Sequence, residues 1–70
     1  MKYKIAIDWG GTKTIVALIK NNKIIKKIKR MNNLKKSKIL IVNQVINDIK
    51  LVSEGINKKN IQGIGIGVAG

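Results

Sequence analysis

Ile5-Ala6-Ile7-Asp8-Trp9-Gly10-Gly11-Thr12-Lys13-Thr14 is an apolar run that ends in an acid, two glycines, a hydroxyl and a lysine. An acidic residue at the tip of a buried strand is a poor structural choice, because desolvating a carboxylate costs several kcal/mol unless it has a partner. Hydrated Mg²⁺ is a natural partner for Asp8, since magnesium keeps several waters and needs only one or two protein carboxylates. Gly10 and Gly11 can supply unusual backbone angles and turn their N–H groups toward an anion with no side chain in the way. Thr12 adds a hydroxyl donor and Lys13 a point charge suited to phosphate. Asp-x-Gly-Gly also suits a hairpin turn that needs no ligand. The apolar strands on either side favour the ligand, so Asp8, Gly10, Gly11, Thr12 and Lys13 are the candidate nucleotide-phosphate loop, with Asp8 the candidate metal ligand.

Working outward, Tyr3 to Trp9 predicts a strand with Tyr3, Ile5, Ile7 and Trp9 on one face and the small Ala6 on the other. Thr14 to Ile19 is almost wholly apolar, which suits burial on both faces. Asn21-Asn22 tolerates the left-handed angles of a tight hairpin. Lys23 to Lys29 predicts a third strand near an edge, where lysines discourage unwanted pairing. Residues 30–36 read as a polar loop. From about Ser37 to Glu54 the period changes: Val42, Val45, Ile46, Ile49, Val52 and Ile56 recur at helical steps. Ser37 is the expected cap and Gly55 the expected stop. Ile61 to Val68 predicts a fourth strand with Gly63, Gly65 and Gly67 on one face and Ile64, Ile66 and Val68 on the other, open to close approach on the glycine side. The order strand–strand–strand–helix–strand, with a helical crossover returning the last strand beside the first, is an α/β half-domain. Its fourth strand is expected to have an exposed apolar edge unless something beyond residue 70 pairs with it.

Composition narrows the chemistry. The 70 residues contain no Cys, His or Pro, and 15 basic groups face 3 acids, a formal net charge of +12. Disulfide frameworks, zinc fingers, thiol nucleophiles and catalytic imidazoles are excluded. With only Asp8, Asp48 and Glu54, a protein-built calcium cage or paired-carboxylate glycosidase site is not expected. The absence of Cys fits a reducing cytoplasm. Charge interrupts the amino end too early for a signal peptide, and no uncharged apolar run approaches the roughly 20 residues of a membrane span. Ile, Lys and Asn fill more than half of the chain, and the lysines are scattered rather than gathered in a stripe. With only Tyr3 and Trp9 to stack on bases, the charge reads as a solvated surface rather than a nucleic-acid interface.

The decamer quoted first, followed by a hairpin, a helix and Ile61-Gln62-Gly63-Ile64-Gly65-Ile66-Gly67-Val68-Ala69-Gly70, resembles the amino terminus of ROK-family proteins. These are sugar kinases, glucokinase-like enzymes and related repressors of the actin-like ATPase superfamily. The resemblance spans essentially the whole chain. It implies a ribonuclease-H-like (actin-like ATPase) half-domain, β-β-β-α-β with a mixed sheet, forming the amino-terminal fragment (residues 1–70) of a nucleotide-binding sugar-kinase lobe. It also implies ATP and Mg²⁺ as cofactors of the parent fold, with Asp8 meeting the metal through water and Gly10 to Lys13 at the phosphates. A sugar substrate and a homodimer or missing carboxy-terminal half follow as expected partners. Gly65 to Gly70 resembles the strand leading to the sugar-side cleft. Trp9 stands where a smaller aliphatic is more usual, and Ala69 where the family often has Pro.

The family's general base and zinc site are expected beyond Gly70, so no catalytic residue is assigned and no turnover is expected of these residues alone. Gly65-x-Gly67-x-x-Gly70 also matches a dinucleotide fingerprint, but the helix and acid that fingerprint requires do not follow. The alternatives are a ROK-type transcriptional regulator, disfavoured because only seven residues precede Asp8, and a non-catalytic basic module that binds nucleic acid. So small and self-repelling a core is expected to be partly unfolded or associated when isolated.

Overall fold

The computed structural model describes residues 2–31 and 37–68. Strands β1 (Tyr3–Trp9), β2 (Lys13–Lys20) and β3 (Lys23–Met31) form an antiparallel meander, followed by helix α1 (Lys38–Val52), a single 3₁₀ turn (Lys58–Asn60) and strand β4 (Ile61–Val68). The sheet order is β3-β2-β1-β4, with β4 parallel to β1. The expected β-β-β-α-β half-domain with a mixed sheet is therefore present, and β3 lies at an edge.

Local chemistry explains most boundaries. Asn21 and Asn22 adopt φ of 52° and 62°, the mirror-image turn whose twist matches that of the flanking strands. Ser37 caps α1, its hydroxyl accepting from the Leu40 amide at 3.3 Å. The helix stops at Val52 rather than Glu54. Ser53 is the cap, its hydroxyl donating to the Ile49 carbonyl at 2.6 Å, and Gly55 serves the turn beyond it at φ +81°. Arg30 and Met31 extend β3 instead of opening a loop; residues 32–36 of the expected loop, and Ala69-Gly70, lie outside the described residues.

Register fixes the two faces of the sheet. Ile5 pairs with Leu18 and Ile7 with Val16, and together with Val45 and Val52 of α1 they form the buried core. Each such side chain contributes about 1.5–3 kcal/mol by leaving water. The register of β4 shifts once, between Tyr3 and Lys4 of its partner, and then sets Gly63, Gly65 and Gly67 beside Lys4, Ala6 and Asp8 on the opposite face. That face is open: a Cβ added at Gly63 or Gly65 would meet nothing within 4 Å. The close approach expected at the glycines is not made by any described residue.

The buried stripe of α1 is Val45, Asp48 and Val52, with Ile41 and Ile49 half-buried, whereas Val42 and Ile46 are exposed. The helix is therefore turned one flank away from the orientation its apolar periodicity predicts. An ion pair lies on the buried flank. Arg30 of β3 donates from Nε to both Asp48 carboxylate oxygens at 3.3 Å and from Nη2 to Oδ1 at 3.1 Å, while Gln44 Nε2 reaches Oδ1 at 3.3 Å. This fork joins the Asp48 flank to β3. Val42 and Ile46 are left open on the other flank, and Ile64, Ile66 and Val68 of β4 are 52, 60 and 73% exposed.

Candidate functional site

β1 is an interior strand, and its carboxyl end lies beside that of its parallel neighbour β4. Ligands of open α/β sheets bind at such carboxyl ends. Asp8 sits there between Ile15 of β2 and Gly67 of β4, on the open face of the sheet. It is exposed. The expectation that Asp8 is a desolvated carboxylate in need of a partner is therefore corrected: Ile5 and Ile7 turn toward the helix, and the alternation of the strand turns Asp8 away from it. The buried acid is Asp48, 1% exposed and satisfied by Arg30.

Gly10 and Gly11 also act differently from expectation. Neither is among the positive-φ glycines; of those described, Gly55 alone is. The Gly10 amide donates to the Lys13 carbonyl at 2.9 Å, closing the hairpin. A Cβ on Gly10 would stand 3.0 Å from that same oxygen, a contact tight enough that the hairpin must shift to admit a side chain. Gly10→Ala is expected to lower stability by about 1–3 kcal/mol, read as a falling urea midpoint; an unchanged midpoint would show that the hairpin can relax.

A Cβ added at Gly11 would meet nothing within 4 Å, and one at Gly67 only the Ile7 carbonyl at 3.9 Å, so neither glycine is demanded by packing. Thr12 and Lys13 are exposed at the hairpin tip and the start of β2. Extending the β1–β2 pairing sets Lys13 across from Gly10, on the same open face as Asp8. The five sequence-derived residues thus lie at one end of the sheet, with the Gly10 amide already engaged.

The Arg30–Asp48 pair is the charged feature that sequence reasoning missed. Two signals were available. Asp48 falls at helical spacing between Val45 and Val52, and Arg30 is the single arginine among fifteen basic residues. Arginine is the cation whose planar fork matches a carboxylate.

Among the described residues, no group of three or more His, Cys, Asp or Glu could hold a metal ion. No described helix is long and apolar enough to cross a membrane.

The strand order, the parallel β1–β4 pair and the single crossover helix define the α/β half-domain of the actin-like ATPase fold. Among solved structures the chain is similar to the PPX-GPPA enzyme of Aquifex aeolicus, at a TM-score of 0.52 and 20% identity. The match covers 96% of this chain but spans only 26% of that one. No protein-family model matches the chain, and no curated protein matches it.

Proposed function

We propose that this chain is the amino-terminal part of the nucleotide-binding lobe of a cytoplasmic, ROK-type ATP-dependent sugar kinase, and that residues 8–13 receive the terminal phosphates of the nucleotide with Mg²⁺. The supporting observation is the placement of Asp8 at the carboxyl ends of the parallel pair, beside Gly67 and just before the hairpin turn that holds Gly11, two glycines that packing does not require. A side chain at either position would fill space that a phosphate can occupy.

The donor set fits magnesium in one way only. A single exposed carboxylate cannot cage the ion, but it can hold a hydrated one that phosphate oxygens share. Asp8 would orient that hydrated ion, and Lys13 and the Gly11 and Thr12 amides would meet the phosphate charge. The bound ion supplies charge neutralisation at the phosphates. These residues bind and orient; phosphoryl transfer also needs a hydroxyl held in line, which belongs to the rest of a two-lobed enzyme.

Two measurements test this. In amide NMR spectra, Mg·ATP is expected to shift residues 8–13, with the effect lost on chelation and weakened about 10–100-fold in Asp8→Asn, as for other water-mediated metal partners. Shifts spread over the β3 lysines and indifferent to Mg²⁺ would instead support the basic-surface reading. For the sugar-kinase reading, residues 1–70 grafted in place of the corresponding segment of a ROK glucokinase are expected to support ATP-dependent hexose phosphorylation that Asp8→Asn removes. A folded chimera that binds Mg·ATP but phosphorylates no hexose would sink it.

A further inference from the structure

Two cations stand side by side near the end of β3, and register sends them to opposite faces of the sheet. Arg30 is opposite Thr14, on the helix face, and its guanidinium is engaged by Asp48. Lys29 is opposite Ile15, which is itself opposite Asp8. Residues directly opposite in an antiparallel pair share a face. Lys29, Ile15 and Asp8 therefore form one row across the open face, continued on β4 by Gly67. Lys13 stands two residues from Ile15, toward the hairpin tip, on that same face.

We propose that Lys29 is a second cation of the phosphate site, contributed by a strand outside the 8–13 loop, and that it favours the triphosphate over the diphosphate. Lys29 and Asp8 are two strands apart, about 10 Å between Cα atoms at ~4.8 Å per strand. The flexible four-carbon stem of lysine crosses much of that span. Between them the half-buried Ile15 offers the stem an apolar surface to lie along. A phosphate held at the Asp8 end of the row by a hydrated magnesium ion is therefore within reach of the Lys29 ammonium.

Among the described residues no carboxylate engages Lys29, whereas Arg30 is committed to Asp48. Lys29 is exposed, and the core does not use it. Resistance to edge pairing, the ordinary use of lysines on such a strand, is served equally by Lys26 on the helix face and does not call for a cation in the Asp8 row. A third phosphate adds negative charge at the end of the ligand that residues 8–13 receive. An ammonium within the ~8 Å screening length of physiological salt is attracted more strongly to that chain than to a diphosphate. The assignment rests on the nucleotide reading of residues 8–13. It involves only the row that holds Asp8, whatever pairs with the outer edge of β4.

Isothermal titration of Mg·ATP and Mg·ADP into the chain, at about 0.15 M salt, tests this. Lys29→Met keeps much of the stem and removes the charge. It is expected to weaken Mg·ATP about 3–10-fold, as loss of one partly exposed charged hydrogen bond does, and Mg·ADP by less. Lys29→Arg should retain the parent affinity. Lys26→Met removes the same charge from the other face of β3 and should change affinity less than about twofold. Thermal melts of all three variants should match the parent, since both lysines are exposed. Equal weakening by Lys29→Met and Lys26→Met would reduce the effect to general surface charge and overturn the proposal. An equal loss for the two nucleotides would refute the triphosphate preference. Parent-like binding by Lys29→Met, with Asp8→Asn still weakened, overturns the Lys29 assignment alone and leaves the nucleotide reading standing. No binding of Mg·ATP by the parent chain overturns both.

Discussion

Arg30→Ala is expected to leave the chain largely unfolded at room temperature. Asp48 is 1% exposed, and among the described residues three of its four hydrogen bonds come from the Arg30 guanidinium. Removing the arginine leaves the buried carboxylate, among the described residues, with Gln44. Breaking buried pairs in this way costs about 3–5 kcal/mol, and because the Arg30 side chain is 45% exposed the low end applies. A domain of this size holds only a few kcal/mol in total. Even 3 kcal/mol lowers the melting midpoint by at least about 12 °C. Lys29→Ala, one residue away and solvated, should change it little. The double replacement Arg30→Met with Asp48→Leu should recover stability lost in either single change, since an apolar pair of similar volume carries no desolvation penalty. Thermal denaturation followed at 222 nm decides the matter; a melt of Arg30→Ala within a few degrees of the parent would show that the fork does not hold the helix in place.

Leu18→Ala should be comparably damaging, for a different reason. Leu18 is fully buried in β2 opposite Ile5, in the cluster closed by Val45 and Val52. Truncation removes transfer free energy and leaves a cavity that neighbouring strands cannot collapse into, a loss of about 2–5 kcal/mol. Ile24→Ala on β3, 60% exposed, should change stability by less than about 0.5 kcal/mol. Urea titration of the two variants distinguishes a core centred on β2 from one spread evenly over the sheet. Equal midpoints would refute the core described above.

The contrast between these two sites explains how much is legible in the sequence. Leu18, Ile5, Ile7 and Val16 lie in strands whose apolar runs are unambiguous, and the expected bounds of β1 and β4 match the observed ones. Asn21-Asn22 and Ser37 announce a turn and a cap through side-chain chemistry that acts within a few residues. Asp8, Gly10, Gly11, Thr12 and Lys13 fall together because they are contiguous on one hairpin. The exposure of Asp8 is not legible in the same way, since alternation along β1 assigns faces but does not say which face another element will cover.

What the amino-acid order determined by itself was the local menu: three strands, a capped helix and a glycine-alternating strand, in the order of an α/β half-domain. Local rules suffice there because each acts over two to four residues of backbone. Tertiary structure alone decided which acid is buried, which flank of α1 faces the sheet, and which edge stays bare. Those outcomes rest on Arg30 meeting Asp48 across 18 positions, and on α1 covering the β2 side of the sheet while the apolar row of β4 remains in water. Such long-range choices weigh one desolvated ion pair against a stripe of aliphatic surface, a balance that no short window of sequence contains.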